Sequence, residues 1–165
     1  HFKTGPRLLG VSHRITARVE RATNEKGVII SDGGRFGGWS LFIQDNQLHY
    51  AVNLYGDCGR ATATKEIPLG KTTVRIDVLK TGDQEGRVRF YIDDQPAGEE
   101  TLTQFHKYNF ANEPLEVGRD SQTPVDSSYT SPNVFTGKIV DVVIDAVGED
   151  VVDQNTALEE LMGSQ

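Results

Sequence analysis

The chain has 165 residues, of which 36% are hydrophobic and 17 are glycine, and its formal net charge is −7. A chain of this length can bury about 70% of its unfolded surface in one domain, and this composition suits an all-β domain rich in turns. The negative charge argues against nucleic acid and anionic membranes as partners, and no apolar run approaches the roughly 20 residues of a membrane span.

Ten short segments carry the signals of β-strands, with turn residues between them. Most alternate apolar and polar side chains, as a strand with one buried face does, whereas the apolar run 28–30 predicts a strand buried on both faces. The predicted strands cover residues 13–20, 28–30, 39–44, 47–54, 60–67, 72–80, 87–92, 97–102, 115–118 and 138–147. This pattern specifies an all-β fold, an antiparallel sandwich or barrel.

The chain is organised around residues 33–43, where two glycine pairs flank Arg35 and Phe36. Glycine adopts backbone angles that other residues avoid and lets a second backbone approach closely. We therefore expect a glycine-bent entry into a core strand, with Arg35 and Phe36 held at the bend. Trp39, the only tryptophan, follows at the start of that strand.

Short turns and longer loops connect the predicted strands. Asp45-Asn46 and Asp93-Asp94 predict hairpin turns, because Asp and Asn tolerate left-handed backbone angles. Residues 56–59 are predicted to form a loop, residues 105–114 an irregular cover over one end of the core, and residues 119–134 a long loop without periodicity.

The last strand and the tail complete the domain. Alternation in the last strand predicts four inward-facing side chains, Val140, Val142, Ile144 and Ala146. Residues 1–150 are assigned to a single sandwich domain and residues 151–165 to an acidic tail. Residues 157–162 of the tail could form one or two helical turns, which is too short for a stable isolated helix.

No residue pattern points to nucleophilic or histidine-based metal chemistry. The four histidines, His1, His13, His49 and His106, lack the spacing of metal ligands. Phosphate-binding loops and hydrolase nucleophile motifs are also absent from the sequence. Cys58 is the only cysteine, so an internal disulfide is excluded, and no base adjoins it, so we expect an inert thiol.

Paired carboxylates are the remaining catalytic signal, since glycosidases place two of them across a cleft. Asp141 and Asp145 are four residues apart and could share one face of a strand. A solvated sheet face is the interpretation we favour for them. Asp93 and Asp94 are interpreted first as a turn and only second as a carboxylate pair.

Sugar recognition on a sandwich would use exposed aromatic rings and planar polar groups. The aromatic candidates are Trp39, Tyr50, Tyr55, Tyr108 and Tyr129. The strand pattern favours a core position for Trp39, and sugar stacking is kept as the alternative.

Charged residues near the turns supply further candidates. Arg35 could bind a ligand anion, although an ion pair with an aspartate of the long loop is favoured, and Arg119 at the start of that loop is a second ligand candidate. Asp120 and Asp126, together with loop carbonyls, could hold Ca²⁺, which takes six to eight oxygen ligands. The competing interpretation is a turn capped by Asp side chains.

Several motifs in fixed order resemble the C-terminal domain of bacterial arylsulfatase-type sulfatases. They are Gly-Gly-Arg-Phe-Gly-Gly-Trp-Ser-Leu at 33–41, Phe-Tyr-Ile-Asp-Asp at 90–94, Leu-Glu-Val-Gly-Arg-Asp at 115–120 with Pro124-Val125 and Tyr129, and Phe-Thr-Gly-Lys-Ile at 135–139. The similarity covers about residues 11–144. It implies a concanavalin A-like, laminin G-like jelly roll of two antiparallel sheets.

The resemblance also implies an accessory module without sulfatase activity. The sulfatase nucleophile arises within Cys/Ser-x-Pro-x-Arg, which this chain lacks, since Gly59-Arg60 follow Cys58. We therefore expect a non-catalytic module that binds a neutral or sulfated glycan or packs on a sulfatase catalytic domain. A bacterial protein in a periplasmic or secreted location is expected.

Two other functions compete with this one. A stand-alone glycan-active enzyme is suggested by fold analogy alone and predicts a groove with paired acids and exposed aromatic rings. A structural or adhesion domain would instead present an exposed apolar patch of several hundred Å².

Overall fold

A computed structural model describes residue 8 and residues 10–105, 115–121 and 123–146. These residues form ten strands and no helix: β1 (His13–Arg21), β2 (Gly27–Gly34), β3 (Gly37–Gln44), β4 (Gln47–Leu54), β5 (Asp57–Thr62), β6 (Gly70–Lys80), β7 (Gly86–Ile92), β8 (Gln95–Leu102), β9 (Leu115–Val117) and β10 (Lys138–Ala146). The described part of the chain therefore contains no helix that could cross a membrane.

The strands form two five-stranded sheets in which all neighbours are antiparallel. Sheet I has the order β10-β1-β6-β7-β8, and sheet II has the order β5-β4-β3-β2-β9. The predicted all-β sandwich of two antiparallel sheets is confirmed. Five pairs of consecutive strands are neighbours, because the connections between them, two residues long in four cases and five between β6 and β7, permit only antiparallel pairing.

The core lies between the inner faces of the two sheets. Sheet I contributes side chains such as Ile15, Ile76 and Phe90, and sheet II contributes Trp39 and Tyr50, all at most 1% exposed. These positions alternate with outward residues along each strand, as the period of two requires. The alternation seen in the sequence thus sets which side of each sheet forms the core.

The glycine pairs form the end of the β2–β3 hairpin, with Arg35 and Phe36 as its two-residue turn. Gly33 (φ +84°) and Gly38 pair across the two strands, and a Cβ at Gly33 would lie 2.1 Å from the carbonyl oxygen of Gly37. Only glycine allows so close an approach of two backbones. The segment is therefore a glycine-framed hairpin that presents Arg35 and Phe36 at its tip.

Asp and Asn turns connect further hairpins, as predicted. Asp45 and Asn46, with φ of 54° and 61°, join β3 to β4, and Asp93 and Asp94 join β7 to β8 with φ of 47° and 65°. Both residues of each turn are left-handed, which matches the twist of the flanking strands.

The turn between β4 and β5 corrects two sequence-based predictions. Residues 56–59 do not form a loop, because Tyr55 and Gly56 already complete a left-handed turn, with φ of 51° and 91°, and β5 begins at Asp57. The strand predicted over residues 60–67 ends at Thr62. A tyrosine in a left-handed turn carries no sequence signal, since bulky residues seldom adopt positive φ.

β10 corrects the predicted inward set. Its pairing with β1 shifts between Arg18 and Val19, so that Val140 is an extra residue without a partner in the register. Because of this bulge, the residues of β10 before Val140 point to the opposite face from the one that strict alternation predicts. Val140 is consequently 46% exposed, Ile139 packs against the core in its place, and Ala146 is exposed at the strand end, whereas Val142 and Ile144 face inward as predicted.

Two predicted regions lie largely outside the described residues. Phe105 is buried in the core as expected of the cover over residues 105–114, and the rest of that segment is not described. The predicted tail at 151–165, with its short helix, also lies outside the described residues and stays a prediction, as does the boundary at residue 150.

Candidate ligand-binding surfaces

The long loop over residues 119–134 lies across the outer face of sheet II. Val125 and Tyr129 of the loop pack on Val28, Phe42 and Ala51 of the sheet to form a second apolar cluster. The ring of Tyr129 meets that of Phe42 edge to face, with centroids 5.1 Å apart, a favoured aromatic geometry. Tyr129, a predicted sugar platform, is 9% exposed and serves here to anchor the loop.

Asp120 and Asp126 hold this loop in shape. Oδ2 of Asp120, which is 1% exposed, accepts from the Val125 N–H at 2.9 Å and from the Tyr129 hydroxyl. Oδ2 of Asp126 accepts from the backbone N–H and hydroxyl of Ser128 and faces Nη1 of Arg60 at 3.2 Å. Burial, with the charge of Asp120 second, raises the pKa of Tyr129, so its hydroxyl stays a donor at neutral pH.

These bonds bear on the predicted calcium site. Ca²⁺ needs six to eight oxygen ligands, and among the described residues no group of three or more His, Cys, Asp or Glu side chains is placed to hold a metal ion. Both aspartates act in the structure as caps of the loop backbone. Calcium at Asp120 and Asp126 stays a prediction, with loop carbonyls as the further ligands that it would require.

The outer face of sheet I carries a row of alternating charges. Asp145, Arg14, Asp77, Arg89 and Glu99 lie side by side across all five strands. Arg14 and Asp77 are 2% and 0% exposed, and their fork-to-fork bonds are 2.6 and 3.0 Å long. Nε of Arg89 donates to Glu99 at 2.8 Å. Each of these bonded acids therefore neutralises an arginine.

The carboxylates considered for catalysis lie on this face and in an adjoining turn. Asp141 bonds Arg18, Asp145 lies opposite Arg14, and Asp94 bonds Arg75 at 3.1 Å. Oδ1 of Asp93 accepts from the Thr73 N–H at 2.9 Å. The favoured interpretation of Asp141 and Asp145 as part of a polar sheet face agrees with these positions.

The described histidines are embedded in the sandwich. Nδ1–H of His13 donates to the carbonyl of Val11 at 2.7 Å, and Nε2 lies 3.4 Å from the Tyr50 hydroxyl. Burial lowers the pKa of His13 to about 4. His49 donates from Nε2 to the carbonyl of Gln44 and stacks on Phe42, and burial lowers its pKa. His1, His106 and Tyr108 lie outside the described residues.

Cys58 lies on the edge strand β5 and is exposed. Burial, followed by the charges of Asp126 and Asp57, raises the pKa of its thiol. A raised pKa keeps the group as the less reactive thiol, in line with the expectation of an inert cysteine.

Two hairpin turns meet at one end of sheet II. The backbone N–H of Tyr55 donates to the Phe36 carbonyl at 3.1 Å, which fixes the β4–β5 turn against the β2–β3 turn. Phe36 and Tyr55 are 60% and 67% exposed, and the Arg35 guanidinium lies over the Phe36 ring, 4.7 Å from its centroid. We call Arg35, Phe36 and Tyr55 the tip surface. It holds two exposed aromatic rings beside one cation.

A buried asparagine fixes this arrangement. Nδ2 of Asn53 donates to the carbonyls of Arg35 and Val125 at 3.0 and 3.1 Å, and Oδ1 accepts from the Gly56 N–H at 2.8 Å. Asn53 is 4% exposed, so water cannot replace these bonds. It thereby joins both turns to the long loop.

The other predicted ligand residues lie elsewhere. Trp39 is 1% exposed and packs near His13 and Tyr50, so its ring offers no face to a sugar, and Tyr50 is equally buried. Arg119 pairs with Glu116 at 2.7 Å beside β9. Among the described residues no carboxylate lies within 4.0 Å of Arg35, whose favoured ion pair with the loop is therefore not formed there.

Sequence reasoning named Arg35 and Tyr55 as ligand candidates, placed Phe36 only at the bend, and did not consider Asn53. A signal for Phe36 was present, because two residues framed by glycine pairs are typical of a hairpin tip, where side chains point to solvent. No local signal marks Asn53, whose three partners are distant in sequence or belong to an unpredicted turn.

The fold places the chain among known structures. No protein-family profile and no curated protein match it. Domains LG4–5 of the mouse laminin α1 chain superpose with a TM-score of 0.64 and 13% identity over 90% of this chain. A candidate carbohydrate-binding protein from Bacteroides ovatus gives 0.61 and 16% over 92%, and a botulinum neurotoxin type C structure gives 0.52 and 15% over 93%.

The chain spans 39%, 44% and 36% of the lengths of those three chains. Identities this low show a shared fold alone. The strand order, the sandwich and these superpositions agree that the protein is a laminin G-like, concanavalin A-like jelly roll.

Proposed function

We propose that this protein is a non-catalytic carbohydrate-binding module that holds a glycan at the tip surface. The observation that carries the proposal is that two exposed rings, Phe36 and Tyr55, lie on turns joined by a backbone hydrogen bond, with the Arg35 guanidinium over the Phe36 ring. Aromatic rings stack on the apolar faces of sugars, and a planar cation binds hydroxyl pairs or sulfate groups. Two proteins of similar fold, a candidate carbohydrate-binding protein and a neurotoxin whose cell entry depends on gangliosides, support this class of ligand.

The rigidity of the tip surface favours binding. Its two turns are joined by the Tyr55–Phe36 backbone bond and held from below by Asn53, while Thr123 Oγ1 accepts from the Arg35 N–H at 3.1 Å. A backbone that is already ordered loses little entropy when a ligand binds. The exposed rings are therefore suited to a ligand and contribute little to the core.

A titration of glycans against wild type and tip variants tests this function. We expect Phe36→Ala and Tyr55→Asn each to weaken binding about tenfold, because each removes one stacking contact. Asn is chosen for position 55 because it tolerates the left-handed backbone there. Leu69→Ala is the matched control, since Leu69 is 58% exposed and lies outside the tip surface.

Calorimetry against a panel of neutral and sulfated oligosaccharides gives the readout. Because the substituted side chains are exposed, the variants should keep the melting temperature of the wild type. No binding across the panel by folded wild-type protein would reject the function. Binding that survives both tip substitutions would support carbohydrate binding but show that the site lies outside the tip surface.

The absence of catalysis is part of the proposal. Asp77 and Glu99 on the outer face of sheet I bond arginines, and the loop over residues 119–134 covers the outer face of sheet II, so within the described part of the chain we find no groove with free paired acids. Hydrolysis of a glycoside or sulfate ester by this chain alone would contradict it.

Attachment to a sulfatase catalytic domain is a second candidate role, based on the motif resemblance. The edge strands β9 and β10 carry three exposed valines that could contact another domain: Val117, Val140 and Val143, which are 56%, 46% and 49% exposed. Sequencing the gene around this segment tests the role directly. A neighbouring sulfatase domain would support it, and a gene without one would remove it.

A further inference from the structure

An open cleft of about 500 Å³ lies at the opposite end of sheet II from the tip surface. It opens between the β3–β4 turn and residues 127–133 of the long loop, with Lys26 at its edge. We call it the rim cleft. β3, whose eight residues separate the tip surface from the rim cleft, is about 25 Å long. One sugar unit cannot contact both sites.

The backbone of the rim cleft is firmly held. The Val28 N–H donates to the Asn133 carbonyl at 2.9 Å, and the Asp120 N–H donates to the Pro132 carbonyl at 2.8 Å. The hydroxyls of Ser128 and Tyr129 are engaged with Asp126 and Asp120. These lining groups therefore form a fixed wall rather than ligand contacts.

Four other lining side chains keep their hydrogen-bonding capacity. Among the described residues, the ammonium of Lys26, the amide of Gln44 and the carboxylate of Asp45 have no hydrogen-bond or ion-pair partner. The hydroxyl oxygen of Ser131 is buried and likewise has none. A buried hydroxyl without a partner loses its bonds to water and gains none, so a ligand that meets this hydroxyl after rotation of the Ser131 side chain toward the cleft is favoured.

The chemistry of these groups selects the ligand. Asp45 can accept from two hydroxyls, Lys26 and Gln44 can donate, and Ser131 can do both. The charges of Lys26 and Asp45 cancel, which favours a neutral ligand over an anionic one. None of the described residues that line the cleft is an exposed aromatic, so recognition would rest on hydrogen bonds.

We propose that the rim cleft is a second binding site, specific for a neutral sugar residue with neighbouring hydroxyls. This inference extends the proposed carbohydrate function to a separate site and does not depend on the tip surface. Two sites about 25 Å apart on one rigid strand make the module bivalent. A polysaccharide that reaches both sites gains affinity over a monosaccharide, because the second contact is intramolecular.

Nuclear magnetic resonance titration with the methyl glycosides of glucose, galactose and mannose tests the site. We expect saturable amide shifts at Gln44, Asp45 and Thr130 with at least one of these sugars. Asp45→Asn keeps the left-handed turn and the side-chain volume but removes the charge, and should weaken binding at least tenfold. Ser131→Ala should weaken it severalfold.

Two controls separate this site from the tip surface. Asp94→Asn alters an exposed turn aspartate outside both sites, with a side chain 83% exposed, and should leave cleft binding unchanged. Phe36→Ala should also leave it unchanged. Shifts absent from the cleft for all three glycosides would overturn the inference, as would shifts that survive both Asp45→Asn and Ser131→Ala. Sugar binding at the rim cleft with none at the tip surface would remove the tip surface as a binding site and leave this inference standing.

Discussion

The outer faces of the two sheets carry different side chains and are completed in different ways. On sheet I the outward residues are charged and pair within the sheet, most closely at Arg14 and Asp77. On sheet II, Phe42 and Ala51 face outward, and residues 119–134 cover them with Val125 and Tyr129. Ion pairs neutralise the charges on the outer face of sheet I, and a loop covers the apolar side chains on the outer face of sheet II.

This difference explains where ligands can bind. A covered face and a face of paired charges leave few unsatisfied groups, because buried polar groups are bonded within the protein. The exposed rings and free donors occur instead at the two ends of sheet II. The loop also helps to build both candidate sites, through Thr123 and Val125 at the tip surface and Ser131 at the rim cleft.

Breaking the charged row should have the largest effect. Asp77→Ala leaves the Arg14 cation buried without its carboxylate, and loss of one partner of a buried pair costs about 3–5 kcal/mol. Urea unfolding measures the loss. The double variant Arg14→Met, Asp77→Leu should recover most of the stability. A loss for Asp77→Ala below about 1 kcal/mol would show that the pair is not buried in solution.

The core between the two sheets should make stability depend on pH. His13 has a folded pKa of about 4, below the usual value near 6.5, so only the unfolded chain binds a proton between these values. Stability should fall as the pH drops through this window, by about 3 kcal/mol in all from His13. Denaturant titrations between pH 7 and pH 4 measure the dependence. Because the carboxyl of Asp32 titrates in the opposite sense, as described next, the prediction is contradicted only if the profile is flat in both wild type and Asp32→Asn.

Asp32 should oppose His13 over much of that range. Burial raises its folded pKa to about 6, so between about 6 and its usual value near 3.9 the folded protein holds the extra proton and gains stability as the pH falls. Asp32→Asn removes this gain. The variant should therefore lose stability on acidification more steeply than wild type, and an equal or shallower slope would contradict the assignment.

A smaller effect is expected from the cover on sheet II. Tyr129→Phe removes the hydroxyl that donates to buried Asp120, which should cost about 1–3 kcal/mol. Tyr91→Phe is the matched control on sheet I, where the Arg75 guanidinium stacks on the ring, 4.1 Å from its centroid, and remains after the change. Thermal unfolding of both variants compares the two faces. Equal losses would show that the cover is no more tightly held than the open face.

The smallest effect should come from an exposed pair on sheet I. The side chains of Arg18 and Asp141 are 58% and 41% exposed, and water screens exposed ion pairs so that they contribute little to stability. Arg18→Ala should therefore shift the midpoint of the same urea unfolding far less than Asp77→Ala does. A loss as large as that of Asp77→Ala would mean that exposure does not distinguish the two pairs.

The sequence by itself determined the strands, most of the turns and the core. Alternation in β1, β6 and β7 has a period of two, and pairs such as Asp45-Asn46 specify their own turn, because both signals depend only on neighbouring residues. The glycine pairs around Arg35 and Phe36 likewise fix a close approach that only glycine permits.

Tertiary structure alone decided what covers each sheet and which side chains meet. The bulge at Val140 depends on pairing with β1. The tip surface depends on Asn53, which joins segments that are distant in sequence. The rim cleft depends on where the long loop packs against sheet II. These features arise from contacts between remote residues, and such contacts leave no periodic trace along the chain. The burial of Tyr129 follows from the same contacts, whereas the strand pattern already favoured the core position that Trp39 occupies.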